Sequence, residues 1–542
     1  MRSIRGTRST HSRIFVFVFV VFCAVAGSQA GKAAPTQNNQ TGEERTARTL
    51  ESVRSNPLEL RAFLEGMPKG ADLHNHLYGA VYAETWIRNG AEDRLCVDLS
   101  SDSFIKAPAM SKDNPPEPIC GEGQVPASRA LRDQHLYDAL IDAFSMRGFV
   151  ASSGNTAHDH FFDSFGRFAG NLDESRHLGE WLDELATRAA SQNEQYLELM
   201  HTPDFHRAAA LAHEMGWPNS GDSSADFSKL RDELLAHGLR DEVPIASAEI
   251  SRAEALRQQL ERCAQKEESP GCKVQIRYLY QVLRGFPQGQ VFAQALLGFE
   301  TAAADPRFVG INFVMPEDSY ISMSDYALQM KMVNFFHELY PSVHISLHAG
   351  ELAPGLVPYE GLCCHIRLAV EEGRAERIGH GVDIMYEDRP DELLKEMSAK
   401  RVLVEINLTS NDVILGVSGK DHPFPIYRKF GVPVALSTDD EGVSRIDLTH
   451  EFVRATETYR LDYADLKTLV RTSLEHAFLP GPSLWVSADL FTKAVSACAQ
   501  EKPGNEKPSG TCTAFLKSSE KAQQQWELER RFTAFEAEHL RD

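Results

Sequence analysis

Eight short runs rich in aliphatic and β-branched residues recur along this chain, at 71–76, 195–200, 274–280, 308–314, 343–348, 377–380, 402–407 and 432–437. Most are separated by amphipathic stretches with helical spacing, such as 324–338 and 448–457. Strands alternating with helices point to parallel βαβ units, because a parallel neighbour needs a crossover. Eight such units fit a closed barrel. The competing solution is an open doubly wound sheet, which usually carries a Gly-rich phosphate loop after its first strand. Neither GxGxxG nor GxxxxGKS/T follows residue 76. The expected fold is α/β, a (β/α)8 TIM barrel with inserted helical and disulfide-stapled segments.

The barrel is expected over residues 66–490, with insertions near 90–135 and 217–272. A polar segment and helix at 31–65 precede it, and a helical extension at 491–542 follows. The long interval between the first two strands holds helical sequence from 130 to 192, placed to roof the barrel mouth. A formal net charge of −21 argues against nucleic acid and anionic lipid as partners.

The first 30 residues read as a secretory signal. Arg2, Arg5, Arg8 and Arg13 are followed by a 12-residue apolar run, 14–25, and then by Ser28-Gln29-Ala30 with small residues at −3 and −1. The run is short for a bilayer span. The expectation is a secreted or periplasmic protein without stable membrane association after cleavage; retention as an anchor is the alternative. Export changes the meaning of the cysteines. Cys96/Cys120, Cys263/Cys272 and Cys498/Cys512 are close pairs in polar, Pro- or Gly-containing sequence, and in an oxidising compartment they read as local disulfides. Free thiols are the alternative. The adjacent Cys363 and Cys364 lie in an apolar helical context and are expected to be buried free thiols.

Four motifs carry chemistry. In Leu73-His74-Asn75-His76, two imidazoles two apart on a strand face the same side and form half of a zinc site. His348-Ala349-Gly350-Glu351 puts a third imidazole at the end of the fifth strand and a carboxylate on the loop beyond it. Gly379-His380-Gly381 flanks a histidine with glycines that permit close approach by a neighbour, although a buried hydrogen-bonded histidine would satisfy the same sequence. Ser437-Thr438-Asp439-Asp440 closes the eighth strand with two acids that repel unless a cation sits between them; a helix N-cap is the plainer use. All four lie at C-terminal strand ends, which converge on one pole of a barrel.

The run from Met67 to Leu77, with HAGE at 348–351, RIGHG at 377–381 and STDD at 437–440, resembles the adenosine deaminase family of amidohydrolase barrels over about residues 66–480. The signal, cysteine pairs and insertion are most similar to the secreted adenosine-deaminase-related growth factors, but only about 35 residues separate signal from barrel, so their long N-terminal dimerisation segment is not matched. A homodimer stays open. The resemblance implies one Zn2+ per chain on His74, His76, His348 and Asp439, with iron or cobalt as other divalent choices. It implies Glu351 as proton donor to purine N1, His380 as the base that orients and deprotonates the attacking water, and Asp440 as the partner of purine N7.

Two positions depart from the family. Tyr78 stands where a polar residue usually holds the ribose 5′ hydroxyl, and Met315 stands where a glycine amide usually meets purine N3, after Asn312-Phe313-Val314. Both touch substrate recognition. The expected activity is hydrolytic deamination of adenosine, or of a close analogue such as 2′-deoxyadenosine, to inosine and ammonia. The alternatives are deamination of another purine, such as adenine or a modified adenosine, and an idle binding or signalling protein on the same scaffold. The PCxxC metal motif of cytidine-type deaminases is absent from the sequence.

Overall fold

Eight parallel strands form one sheet in chain order. They are β1 (Gly70–His76), β2 (Glu194–His201), β3 (Gln275–Leu283), β4 (Phe308–Val314), β5 (His344–Ala349), β6 (Arg377–His380), β7 (Leu403–Ile406) and β8 (Val434–Leu436). The computed structural model describes residues 41–107, 117–168, 174–218 and 222–539. The expected signal segment lies outside these residues.

All eight strands fall where the apolar runs place them. Their neighbours are parallel throughout, so each connection is a crossover carrying at least one helix. β1 and β2 are buried along their whole length, as expected for strands covered on both faces. The crossover helix Gln288–Ala304 is apolar and buried over most of its surface, wedged between the sheet and its neighbours.

The eight strands nearly close, and the seam lies at the chemical end of the molecule. β8 and β1 share no ladder; a single parallel bridge joins Asn75 to Asp439. Two main-chain hydrogen bonds make it, His76 N–H to Asp439 O at 3.1 Å and Asp439 N–H to His74 O at 2.8 Å. Closing the barrel therefore fixes the backbones of three candidate metal ligands against one another.

The interval between β1 and β2 covers the mouth. It contains a three-stranded antiparallel sheet of Cys96–Asp98, Ser103–Ile105 and Gln124–Pro126. The sequence reading missed this sheet, because three-residue strands are too short to show a period of two. Helix Ala157–Phe168 then reaches the loop after β4, where His158 Nε2 lies 3.2 Å from Asp318 Oδ1. On another side of the mouth, Met146 N–H bonds Val443 O beyond β8 at 2.8 Å.

Disulfides join Cys96–Cys120, Cys263–Cys272 and Cys498–Cys512, as the spacing anticipated. The last pair sits in its own small apolar cluster with Leu484, Trp485, Phe491 and Trp526. This gives the C-terminal extension a stapled core apart from the barrel's. The expectation of free thiols at Cys363 and Cys364 is corrected: the structure bonds them to each other. They precede helix His365–Glu371 instead of lying inside it, and both are half-buried. Among the described residues, no helix is long and apolar enough to cross a membrane.

Candidate metal and catalytic site

The C-terminal ends of β1, β5, β6 and β8 bring His74, His76, His348, His380 and Asp439 to one point, all buried. His74 Nε2 and His76 Nε2 lie 3.3 and 3.2 Å from Asp439 Oδ1. His76 Nε2 lies 3.2 Å from His348 Nε2. Ligands about 2.0–2.1 Å from a common tetrahedral ion stand roughly 3.3 Å apart, so these separations fit a zinc-sized cation without rearrangement. His74, His348, His380 and Asp439 form one group of converging donors, and His76, Asp439 and Asp440 form an overlapping one. Asp440 aside, five residues compete for four positions, with His380 Nε2 farther from Asp439, at 3.8 Å.

Each of the three nearest histidines is held through its other nitrogen. His74 Nδ1 meets Glu405 Oε2 at 2.7 Å, His76 Nδ1 meets Gln281 Oε1 at 2.7 Å, and His348 Nδ1 meets Asn312 Oδ1 at 2.7 Å. The Asn312 amide can point only one way, because its Nδ2 donates to the Ser346 carbonyl at 3.0 Å. Its oxygen therefore accepts from His348 Nδ1–H, and the Nε2 lone pair is free for a cation. Glu405 is fixed in turn by Arg377 Nε at 2.7 Å and by the Ser346 hydroxyl at 3.0 Å.

Electrostatics divide the acids. Burial alone would raise Asp439, but the His74 and His76 imidazoles beside it hold it well below the carboxylate range. Glu351 goes the other way. Burial, followed by the charges of Asp439 and Glu317, pushes its carboxyl well above the usual value, which favours the protonated form. Burial lifts Asp440 to about 8, with Asp439 adding to the rise and His76 opposing it. Burial drops His380 to about 3, so it is neutral.

Glu351 is placed by a neighbour that no motif announced. Glu317, three residues past β4, accepts from the backbone N–H groups of Gly350 at 3.0 Å and Glu351 at 2.7 Å, and meets His365 Nδ1 at 2.5 Å. Asp440 occupies the space that a side chain at position 79 would need. A Cβ on Gly79 would stand 1.6 Å from its Oδ1. Gly379 likewise leaves room for the His74 ring, whose Cε1 would be 2.5 Å from a Cβ there. Asp439 (φ 63°), His380 (φ 71°) and Met315 (φ 117°) all hold left-handed backbone without being glycine, a strain that clusters at functional sites.

The two departing positions are not among the converging donors. The Tyr78 ring is nearly parallel to those of His201 and Trp86, at 6.2 and 6.3 Å, and it touches Trp181. Met315 keeps a glycine-like backbone but turns its thioether over Gly285, where a Cβ would meet Sδ at 2.9 Å.

Comparison with known proteins adds to this geometry. The family model described as adenosine deaminase matches residues 147–485. The chain belongs to the adenosine deaminase family. The match begins after β1, so His74 and His76 take their place in the site from geometry alone. The adenosine deaminase of Clostridium perfringens (strain 13 / Type A) is 37% identical over 135 residues, which is 25% of this chain and 37% of that protein. The aligned part thus spans little more than a third of that relative's length. Among solved structures, the adenine deaminase of Arthrobacter aurescens superposes with a TM-score of 0.48 at 16% identity, covering 76% of this chain and 94% of its own. An amidohydrolase of Burkholderia ambifaria, solved with bound Zn, gives 0.49 at 17% identity, covering 78% and 88%.

Proposed function

We propose that this adenosine deaminase family member is a secreted, zinc-dependent hydrolase that converts adenosine, or a close analogue such as 2′-deoxyadenosine, to inosine and ammonia. One observation carries the reading. Four buried donors, His74, His76, His348 and Asp439, converge with neighbouring separations of 3.2–3.3 Å near Glu351, whose carboxyl burial pushes well above its usual value. Zinc held there would supply a Lewis acid that lowers the pKa of water from 15.7 towards ~7.

The chain's own groups do the rest. An aromatic carbon accepts a nucleophile only when the ring is electron-poor, and the protonated Glu351 carboxyl can donate to ring N1 to make it so. Purine N7 is only an acceptor, so its partner must donate. Asp440, with its carboxyl near 8 and a buried Oδ1 lacking a hydrogen-bond partner, suits that role at neutral pH. His380 stands beside Asp439, where it can orient the attacking water. Burial of all these groups excludes competing solvent.

The secreted location draws on the signal-like residues 1–30 and on cysteine pairs suited to an oxidising compartment. The signal-like segment, cysteine pairs and inserted region together support a likeness to the growth-factor type of the family. A second reading, deamination of another purine, is favoured by Tyr78 and Met315, whose side chains replace the small or polar groups expected at those positions. A panel of adenosine, 2′-deoxyadenosine, adenine and N6-modified adenosines, followed by ultraviolet absorbance with ammonia release, tests both. Adenosine or its deoxy analogue should lead. A clear preference for adenine or an N6-modified purine would replace the first reading by the second, and no turnover of any purine would remove both.

A further inference from the structure

We infer that His422 and Asn411 are positioning residues that fix the proton of His380 on Nε2, so that His380 enters the reaction as a hydrogen-bond donor and cannot be a metal ligand. The catalytic consequence rests on the deaminase reading above; the tautomer does not.

The chain of constraint starts at a backbone group. His422 is buried just ahead of helix Phe424–Phe430, and its Nδ1 lies 3.1 Å from the Phe424 backbone nitrogen. A backbone N–H only donates, so His422 Nδ1 accepts. A neutral imidazole has one acceptor and one donor nitrogen, so the proton is on Nε2. Burial, with the Arg454 cation adding, lowers His422 to about 4 and keeps it neutral. Its Nε2–H faces Asn411 Oδ1 at 3.0 Å. Only an oxygen accepts there, which fixes the Asn411 amide and turns its Nδ2 the other way. That Nδ2 lies 2.9 Å from His380 Nδ1. An amide nitrogen only donates, so His380 Nδ1 accepts, and the proton of the neutral ring sits on Nε2. The Asn407 amide, with Nδ2 at 3.5 Å, adds a weaker donor on the same nitrogen.

On the far side of the ring, His380 Nε2 is buried without a hydrogen-bond partner, 3.8 Å from Asp439 Oδ2. The four histidines of the site thus divide by what touches Nδ1. Glu405, Gln281 and Asn312 offer oxygens to His74, His76 and His348, which leaves their Nε2 lone pairs bare. At His380 the nearer partner of Nδ1 is the Asn411 donor at 2.9 Å, with Glu351 Oε1 beyond hydrogen-bond distance at 3.6 Å, which leaves no lone pair on Nε2. Competition between five residues for four ligand positions is settled against His380. Its unpartnered N–H instead faces the site beside Asp439, which suits it to orient the attacking water.

The test is nitrogen NMR of protein labelled with 15N-histidine, zinc-free and zinc-loaded, with the His380 signals identified by their loss in His380→Asn. The wild type should show the Nε2–H tautomer in both states. Asn411→Asp keeps the shape but replaces the donor by an acceptor, so His380 should switch to Nδ1–H. Zinc content should hold at one per chain while kcat falls by ~10²-fold. His422→Gln keeps an acceptor for Phe424 N–H and a donor for Asn411, and should retain the Nε2–H tautomer with kcat within a few-fold. A wild-type His380 protonated on Nδ1 overturns the inference, and so does a folded Asn411→Asp whose His380 tautomer is unchanged. If that variant does not fold, the wild-type spectrum alone decides. Finding the Nε2–H tautomer in a protein that deaminates no purine would sink the functional reading and leave the tautomer standing.

Discussion

The floor of the site and its wall are built in different ways. On the floor, every candidate ligand histidine has a second partner within 2.7 Å, and that partner is often held by a third group, as Glu405 is by Arg377. On the wall, Tyr78 lies in a loose aromatic stack, and Met315 covers a glycine in a backbone posture its own side chain disfavours. A floor of this kind tolerates little change, because each hydrogen bond fixes a tautomer or an angle the chemistry needs. A wall of packed rings and a flexible thioether can be reshaped without disturbing the metal. On the proposed reading, the floor sets the class of reaction, and Tyr78 and Met315 bear on the choice of purine.

The comparison breaks most visibly at a ligand. His348→Ala should lose both zinc, measured by elemental analysis of the purified protein, and all detectable deaminase activity. Near-full zinc content in that variant would remove His348 from the ligand set. Glu351→Gln should keep one zinc and the wild-type circular dichroism spectrum, yet lose at least ~10²-fold in kcat. Loss of zinc there would make Glu351 a ligand, contrary to its place on the loop beyond β5. Glu405→Gln acts through His74 and should weaken zinc about 10-fold or more in a chelator competition; unchanged affinity would mean the His74–Glu405 contact does not tune the metal.

At the wall the effects should be smaller and of another kind. Met315→Gly restores a residue at ease with φ 117° and opens space over Gly285. Its zinc content should not change, while the ratio of kcat/KM between adenosine and a bulkier purine should move by ~10-fold. A ratio that stays put would take Met315 out of recognition. The smallest effect on activity belongs to the distant Cys498–Cys512 staple. Replacing both cysteines by alanine should cost about 3 kcal/mol of stability for a loop of this length, read from the urea midpoint, and leave kcat unchanged at 25 °C.

Much of this was legible in the sequence, and the limits have physical reasons. The eight apolar runs located every barrel strand, since buried parallel strands must be apolar and helices must separate them. HxH, HAGE, GHG and TDD could be read because each joins a donor to a strand end. Glu405 left a faint mark, a carboxylate inside the apolar run at 402–407, which a buried strand tolerates only with a partner. Gln281, Asn312 and Glu317 left less, because each takes its meaning from a contact across strands. Asn411 and His422 left none, as their roles arise from who donates to whom between loops. Cys363 and Cys364 misled because the helix that would have buried them starts two residues after Cys363.

The most direct test of the central claim is metal-dependent turnover by the full-length protein. Adenosine consumption in the ultraviolet and ammonia release should be followed together, before chelation, after removal of the metal, and after zinc is returned. The account predicts inosine and ammonia in equal amounts, loss of both on chelation, and recovery at one zinc per chain. A protein that binds one zinc at these residues and deaminates no purine, or one whose deamination survives complete removal of the metal, would contradict it.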